Sequence, residues 1–379
     1  MHVSSRRRHA RRGDHGQIIV VAALSMIAII GGVSLVIEGG NAYAHQRIVQ
    51  NATDAVANSG ATTLAERLGG TPKTDADVFN ALQLMSNANA LDTNTAYYTN
   101  VYGQMLTPLG VVTNGASAAA RVGDGVIPPT TQGVRVSGSQ VFGTTFAGAL
   151  GITSFTASAD ATAITGPLTG GLMMPVVFPV STANCDGSGD TVSVDDSWRM
   201  SNPGDPPDGQ EWNVPLCMSG AGSFMILDLD PNKDCYQEVV DPTPIQWNDF
   251  PVWVNTDTGN DCAKKVAQGI ADANLNGTIV NIPICDNDCS TTSGSGGQYH
   301  IVRVVSFYLD YISYSNNVNN SACRLTTSPN YPGSTIINIT GGNGSASCMV
   351  GWFVRYITNG PVGTGAVEHG EALGIQLIR

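Results

Sequence analysis

Residues 17–37 read QIIVVAALSMIAIIGGVSLVI, with no Asp, Glu, Lys or Arg. A helix of about 20 such residues rises roughly 30 Å, the thickness of a bilayer's hydrocarbon core. Arg6, Arg7, Arg8, Arg11 and Arg12 precede it, Glu38 follows it, and the next Lys or Arg is Arg47. Basic residues stay on the cytoplasmic side. Residues 1–16 are therefore expected to be a basic cytoplasmic tail and 17–37 a single transmembrane helix in contact with lipid. The bulk of the chain is then extracytoplasmic, anchored to a cell membrane. A cleaved signal peptide is the rival reading, and Ala42-Tyr43-Ala44 has the small-x-small form of a cleavage site. The apolar core of a signal peptide spans about 7–15 residues, shorter than this stretch, which favours a retained anchor.

The remaining composition agrees with export. Charged residues make up 13% of the 379, Gly numbers 44, and the formal net charge is −12. Without the five arginines of the tail, 13 basic residues face 30 acidic ones. No basic stripe is left to hold nucleic acid. The eight cysteines, Cys185, Cys217, Cys235, Cys262, Cys285, Cys289, Cys323 and Cys348, all lie beyond residue 184. An even count confined to the exported half reads as disulfides formed in an oxidising compartment. Eight cysteines allow 105 pairings, so the spacing assigns none. Cys285 and Cys289 have no second close pair to complete a zinc site.

Beyond the anchor, Val49, Ala52, Val56, Gly60, Leu64 and Leu68 recur every three or four residues, so the helix is expected to continue outward and to pack this small-residue stripe on its own domain. Gly69-Gly70 and Pro72 end it. Thr74 caps a second helix whose first turn holds Asp75 and Asp77 and whose apolar face is Val78, Ala81, Leu82, Met85 and Ala88. Residues 133–137 and 154–164 alternate as strands, with a short helix expected over 140–150. After a Gly/Pro linker the pattern turns β-rich, with strands expected over 174–180, 223–229, 252–255, 278–284, 299–314, 335–339, 349–357 and 373–378, and one helix over 262–273. Residues 201–210 and 290–297 read as exposed loops. The fold class is α+β: a transmembrane helix continuing into a long exported helix, a small α+β domain over 38–166, and a β-rich, disulfide-containing extracytoplasmic domain over 171–379.

With these elements in place, the N-terminal segment resembles the TadE/TadG-like family of Flp (tight-adherence) pilus-assembly proteins. The resemblance rests on Gly16, Gln17, Glu38, Gly39, Tyr43, Gln50, Asn51, Ala52, Asp54 and Ala55, and on Phe146, Leu150, Gly151, Ile152, Ala157, Ala159, Ala161 and Ala163. It covers about the first 165 residues. Glu38 stands where the family often has Asp. The von Willebrand A domain of larger relatives is not expected: Asp186-Gly-Ser188-Gly-Asp190 lacks the second serine of that domain's metal motif. Val21, not Glu, is the fifth residue after Gly16, which speaks against prepilin-type processing. The resemblance implies a membrane-anchored structural or accessory part of a pilus or its secretion machinery, with pilus or secretion-system proteins as partners.

Motifs for catalysis are absent. There is no Gly-x-Ser-x-Gly elbow, phosphate-binding loop or His-Glu-x-x-His, and the chain is expected not to be an enzyme. His369 beside Glu368 and Glu371 reads as a solvated Gly-rich loop, and His300 stands alone. Asp228, Asp230, Asn232 and Asp234 place side-chain oxygens at alternate positions, as calcium loops do. Lys233 replaces the glycine of such a loop, and Val239 its bidentate Glu. No other cofactor is expected. An alternative function is a surface-anchored, adhesin-like binding module unconnected to a pilus, with Trp198, Trp212, Trp247 and Trp253 as aromatic contacts.

Overall fold

The computed structural model describes residues 15–179, 181–183, 191–193, 210–216, 226–257, 262–285, 297–313, 335–338, 347–354, 356–365, 367 and 371–378. It begins with one uninterrupted helix, α1 (His15–Leu68, 54 residues). Its two halves have opposite environments. Every large apolar side chain from Ile18 to Val36 is more than half exposed, whereas Val49, Ala52, Val56, Ala57, Ala61 and Leu64 are buried. Among the described residues the first half therefore packs on nothing, and the second half supplies the core of a domain. Among the described residues α1 is the one helix long and apolar enough to cross a membrane. It stops where Gly69 and Gly70 close a last turn, with Gly70 at φ 93°.

The next helix, α2 (Asp75–Ala88), starts at a reciprocal cap. Asp77 N–H donates to Thr74 Oγ1 while Thr74 N–H donates to Asp77 Oδ2 at 2.7 Å. Both helices lie on one face of a sheet built from β1 (Thr93–Thr99), β2 (Gly133–Gly143) and β3 (Ser154–Pro167), consecutive and antiparallel. The shared core joins the α1 stripe and Val78 and Leu82 of α2 to Tyr98, Val134, Val136, Ala161 and Ala163. The stripe is thus spent within the domain, as its spacing suggests.

The chain then forms short pieces: β4 (Gly170–Gly171), β5 (Phe178–Pro179), β6 (Ser181–Ala183), β7 (Thr191–Ser193), β8 (Gln210–Leu216), helix α3 (Gln237–Val240), β9 (Ile245–Gln246) and β10 (Val252–Asn255). Helix α4 (Cys262–Asp272) leads into the long strands β11 (Thr278–Cys285) and β12 (Gln298–Ser313), then β13 (Thr335–Asn338) and β14 (Ser347–Val354). A second sheet has the order β13-β8-β14-β12-β11-β5, with β10 also on β12. Val266, Ala267 and Ile270 of α4 pack on Val280, Ile282, Phe307 and Leu309 of this sheet.

The last two strands, β15 (Ile357–Asn359) and β16 (Leu373–Ile378), do not stay with the β-rich region that precedes them. β16 pairs antiparallel with β3, Ile375 opposite Thr165, and β15 lies parallel on its far side, giving the first sheet the order β1-β2-β3-β16-β15. The sequence boundary at 166–171 is therefore crossed: residues 357–359 and 373–378, expected in the second domain, complete the first sheet. The physical reason is that β3 would otherwise be an open edge, and Leu373 and Ile375 find their burial there. Between the sheets, Ala372 accepts from Leu168 N–H and donates to Val304 O, both near 2.9 Å.

Two local expectations are corrected. The helix over 140–150 is instead the end of β2 followed by one 3₁₀ turn (Ala147–Leu150), because Gly143 and the left-handed Gly151 (φ 88°) leave no room for a longer helix. The β1 strand falls in a stretch whose Asn- and Thr-rich composition conceals it. Strands 252–255 and 373–378 match residue for residue, and 278–284 falls one residue short of β11.

Candidate functional site

α1 crosses from bare to packed at Glu38, the first charged residue after the apolar run. Glu38 is buried, and its Oε1 accepts N–H bonds from Thr145 (2.6 Å), Phe146 (2.5 Å) and Ala147 (3.1 Å). These amides, those of Ala147 and Phe146 first, hold the carboxyl below its usual range. The free N–H groups that start the 3₁₀ turn thus find an acceptor on a helix more than a hundred residues away. Two turns further, His45 stacks on Phe142 (ring centroids 4.0 Å apart), and Gln46 Nε2 donates to Ser158 O at 2.7 Å. Gln50 Nε2 reaches Asp160 O at 3.3 Å. These contacts progress so that α1 runs parallel to β3, with the β2–β3 hairpin tip at the end nearest the bare half.

The four residues of the candidate calcium loop do not form a cage. Asp230 Oδ1 takes Asn232 N–H (3.1 Å) and Oδ2 takes the Thr243 hydroxyl (2.7 Å). Asp234 Oδ1 caps Gln237 N–H (2.9 Å), and its Oδ2 meets Lys265 Nζ at 3.2 Å. The Lys233 ammonium, at the position where a calcium loop turns on glycine, is tied to Asp241. Asp228 is held above the usual carboxylate range by burial and by the neighbouring Asp257 and Asp230. Among the described residues the one trio of metal-ligand side chains within 4.8 Å of one another is Cys235, Asp257 and Cys262. Its two sulfurs are joined to each other, since Cys235–Cys262 is a disulfide spanning 27 residues. The carboxylate oxygens of Asp230 and Asp234 thus serve turn and helix-cap hydrogen bonds.

Cys285 is also disulfide-bonded. Cys185, Cys217, Cys289 and Cys323 lie outside the described residues, and Cys348 sits on β14, opposite Ser313. The motif 186–190, His369 and Glu368 lie outside them as well. Glu371 is buried just before β16.

Glu238 is buried, and burial pushes it up to about 7. Perturbed acids of this kind often mark catalysis. Here Oε1 accepts from Leu229 N–H (2.7 Å) and Asp230 N–H (2.8 Å), so the group fastens the turn entering α3. It borders a recess of about 580 Å³ with Met173, Val239 and Tyr356, and among the described residues no nucleophile–base pair lines that recess. A second recess, about 530 Å³, has as its charged residues Arg135 and Asp160, which face each other at 3.6 Å. Of the four tryptophans named as aromatic contacts, Trp247 packs edge-on to Phe250, Trp253 is half-exposed and stacks on His300 at 4.5 Å, Trp212 is on β8, and Trp198 is outside the described residues.

No family model, curated protein or solved structure matches the chain. What the described residues offer is one long helix, bare and apolar in its first half and packed in its second, with the Glu38 contact at the junction.

Proposed function

We propose that the protein is a single-pass, membrane-anchored structural or accessory component of a bacterial Flp/Tad-type pilus or its secretion machinery, without catalysis. Residues 1–16 are cytoplasmic, 17–37 span the lipid, and both sheets stand outside. The observation that carries this reading is the continuity of α1: a bare apolar half of bilayer length runs without a break into a half that is the core of an antiparallel sheet. A rigid rod of this kind fixes the platform relative to the membrane, as a subunit or holder of a fibre requires. The resemblance of residues 16–55 to pilus-assembly proteins supplies the pilus, and the engaged carboxylates favour structure over chemistry. In a strain lacking the gene, surface pili counted by electron microscopy should vanish and return with the wild-type chain. Pili at wild-type number in the deletion strain would refute the reading.

The Trp253–His300 stack favours a second reading, an anchored binding module, because an exposed aromatic face suits sugar rings. Retention on a glycan array that disappears in Trp253→Ala, with pili unaffected by the deletion, would select it.

A further inference from the structure

We infer that the β2–β3 hairpin tip, residues 143–154, is a second membrane contact: an uncharged wedge seated in the lipid interface beside α1. Three observations place it there. The Glu38 carboxylate fixes Thr145, Phe146 and Ala147 to α1 at the first residue beyond the apolar run, so the tip sits at the level where the helix leaves the hydrocarbon. Val141, Phe146, Ile152 and Phe155 are each more than a third exposed, around a tip whose Gly143 and Gly151 have open space beside them. No Asp, Glu, Lys or Arg occurs between Arg135 and Asp160.

An exposed apolar cluster of this size calls for a partner. The bilayer is the occupant because the cluster is continuous with the bare face of α1 and is held at its height; aromatic side chains prefer that depth. The polar links on either side, His45–Gln140 and Gln46–Ser158, lie further along α1, where water begins. The contact would restrict rotation of the platform about its single anchor, turning a tethered domain into an oriented one.

This inference rests on the anchored reading, and the test separates the two. The full chain, carrying the photoreactive residue p-benzoylphenylalanine in place of Phe146, Ile152 or, as a control, Leu109, is reconstituted in phosphatidylcholine vesicles. Leu109 is exposed in the loop that leaves the opposite end of the sheet. After flotation and irradiation, mass spectrometry should find lipid adducts at 146 and 152 and none above background at 109. Flotation without lipid adducts at either tip position overturns the wedge and leaves the anchor standing. Adducts to a second copy of the chain in place of lipid also overturn it. Failure to float overturns both. The probe at 152 guards against misfolding of the 146 variant.

Discussion

At the scale of single residues, buried carboxylates act as fasteners between distant segments. Asp75 accepts from the Tyr98 hydroxyl at 2.6 Å and from the N–H groups of Gly123 and Gly125, joining the start of α2 to β1 and to the loop after it. Tyr98→Phe should cost about 1–2 kcal/mol in urea unfolding, and Asp75→Ala more, since it leaves three donors without an acceptor. Glu38→Ala should abolish hydrogen-exchange protection of the Thr145, Phe146 and Ala147 amides while leaving that of β2 intact. Glu238 gives a pH dependence of defined sign. Its folded pKa, about 7, lies above the ordinary 4.5, so the folded state holds the extra proton between these values and stability falls as pH rises through that window. Glu238→Gln should flatten this slope in thermal melts taken from pH 4.5 to 8. Sequence reading placed Asp75 correctly in a first helical turn. It could not see the tyrosine 23 positions away, because nothing local in the chain encodes that pairing.

Among the elements, close approach is set by small residues. A Cβ built on Gly60 would lie 2.8 Å from Val134 Cγ2 and 2.9 Å from Leu82 Cδ2, so α1, α2 and β2 meet at that glycine. Gly60→Val should destabilise by about 1–3 kcal/mol through overpacking, read as a lower urea midpoint at unchanged slope. Beside the second sheet the Cys235–Cys262 bridge ties the start of α4 to the second residue before α3. Breaking it with Cys235→Ser and Cys262→Ser together should cost about 2–4 kcal/mol. The long elements were legible because their periodicity survives over many residues. α1, α2, α4 and the strands from 252 onward carry it clearly. The 140–150 segment misled because Val141, Phe142 and Phe146 mimic helical spacing, while Gly143 and Gly151 set the backbone. β1 and β8 were missed, since Thr93–Thr99 and Gln210–Leu216 contain too many Asn, Thr and Pro residues to stand out from loop composition.

Over the whole molecule, the decisive feature is that the chain closes on itself. β16 covers β3, so the sheet that carries α1 is completed only when the last residues arrive. A chain ending at Glu371 should expose the β3 edge and lose the protease resistance of residues 38–166, a result visible on a gel after brief trypsin treatment. Sequence order hid this return, for strand pairing partners are not written in local pattern: Leu373–Ile378 is recognisable as a strand, but not as a neighbour of Ser154–Pro167. The apolar run and the packed stripe of α1 were legible; the pairing of β16 with β3 was not. What remains most exposed to experiment is the proposed anchor and its direction. Alkaline phosphatase fused after Arg379 should be active and sediment with the membrane fraction. Inactive phosphatase held in the cytosol, or active phosphatase released into the soluble fraction, would contradict a retained helix that leaves its arginines inside and carries both sheets across.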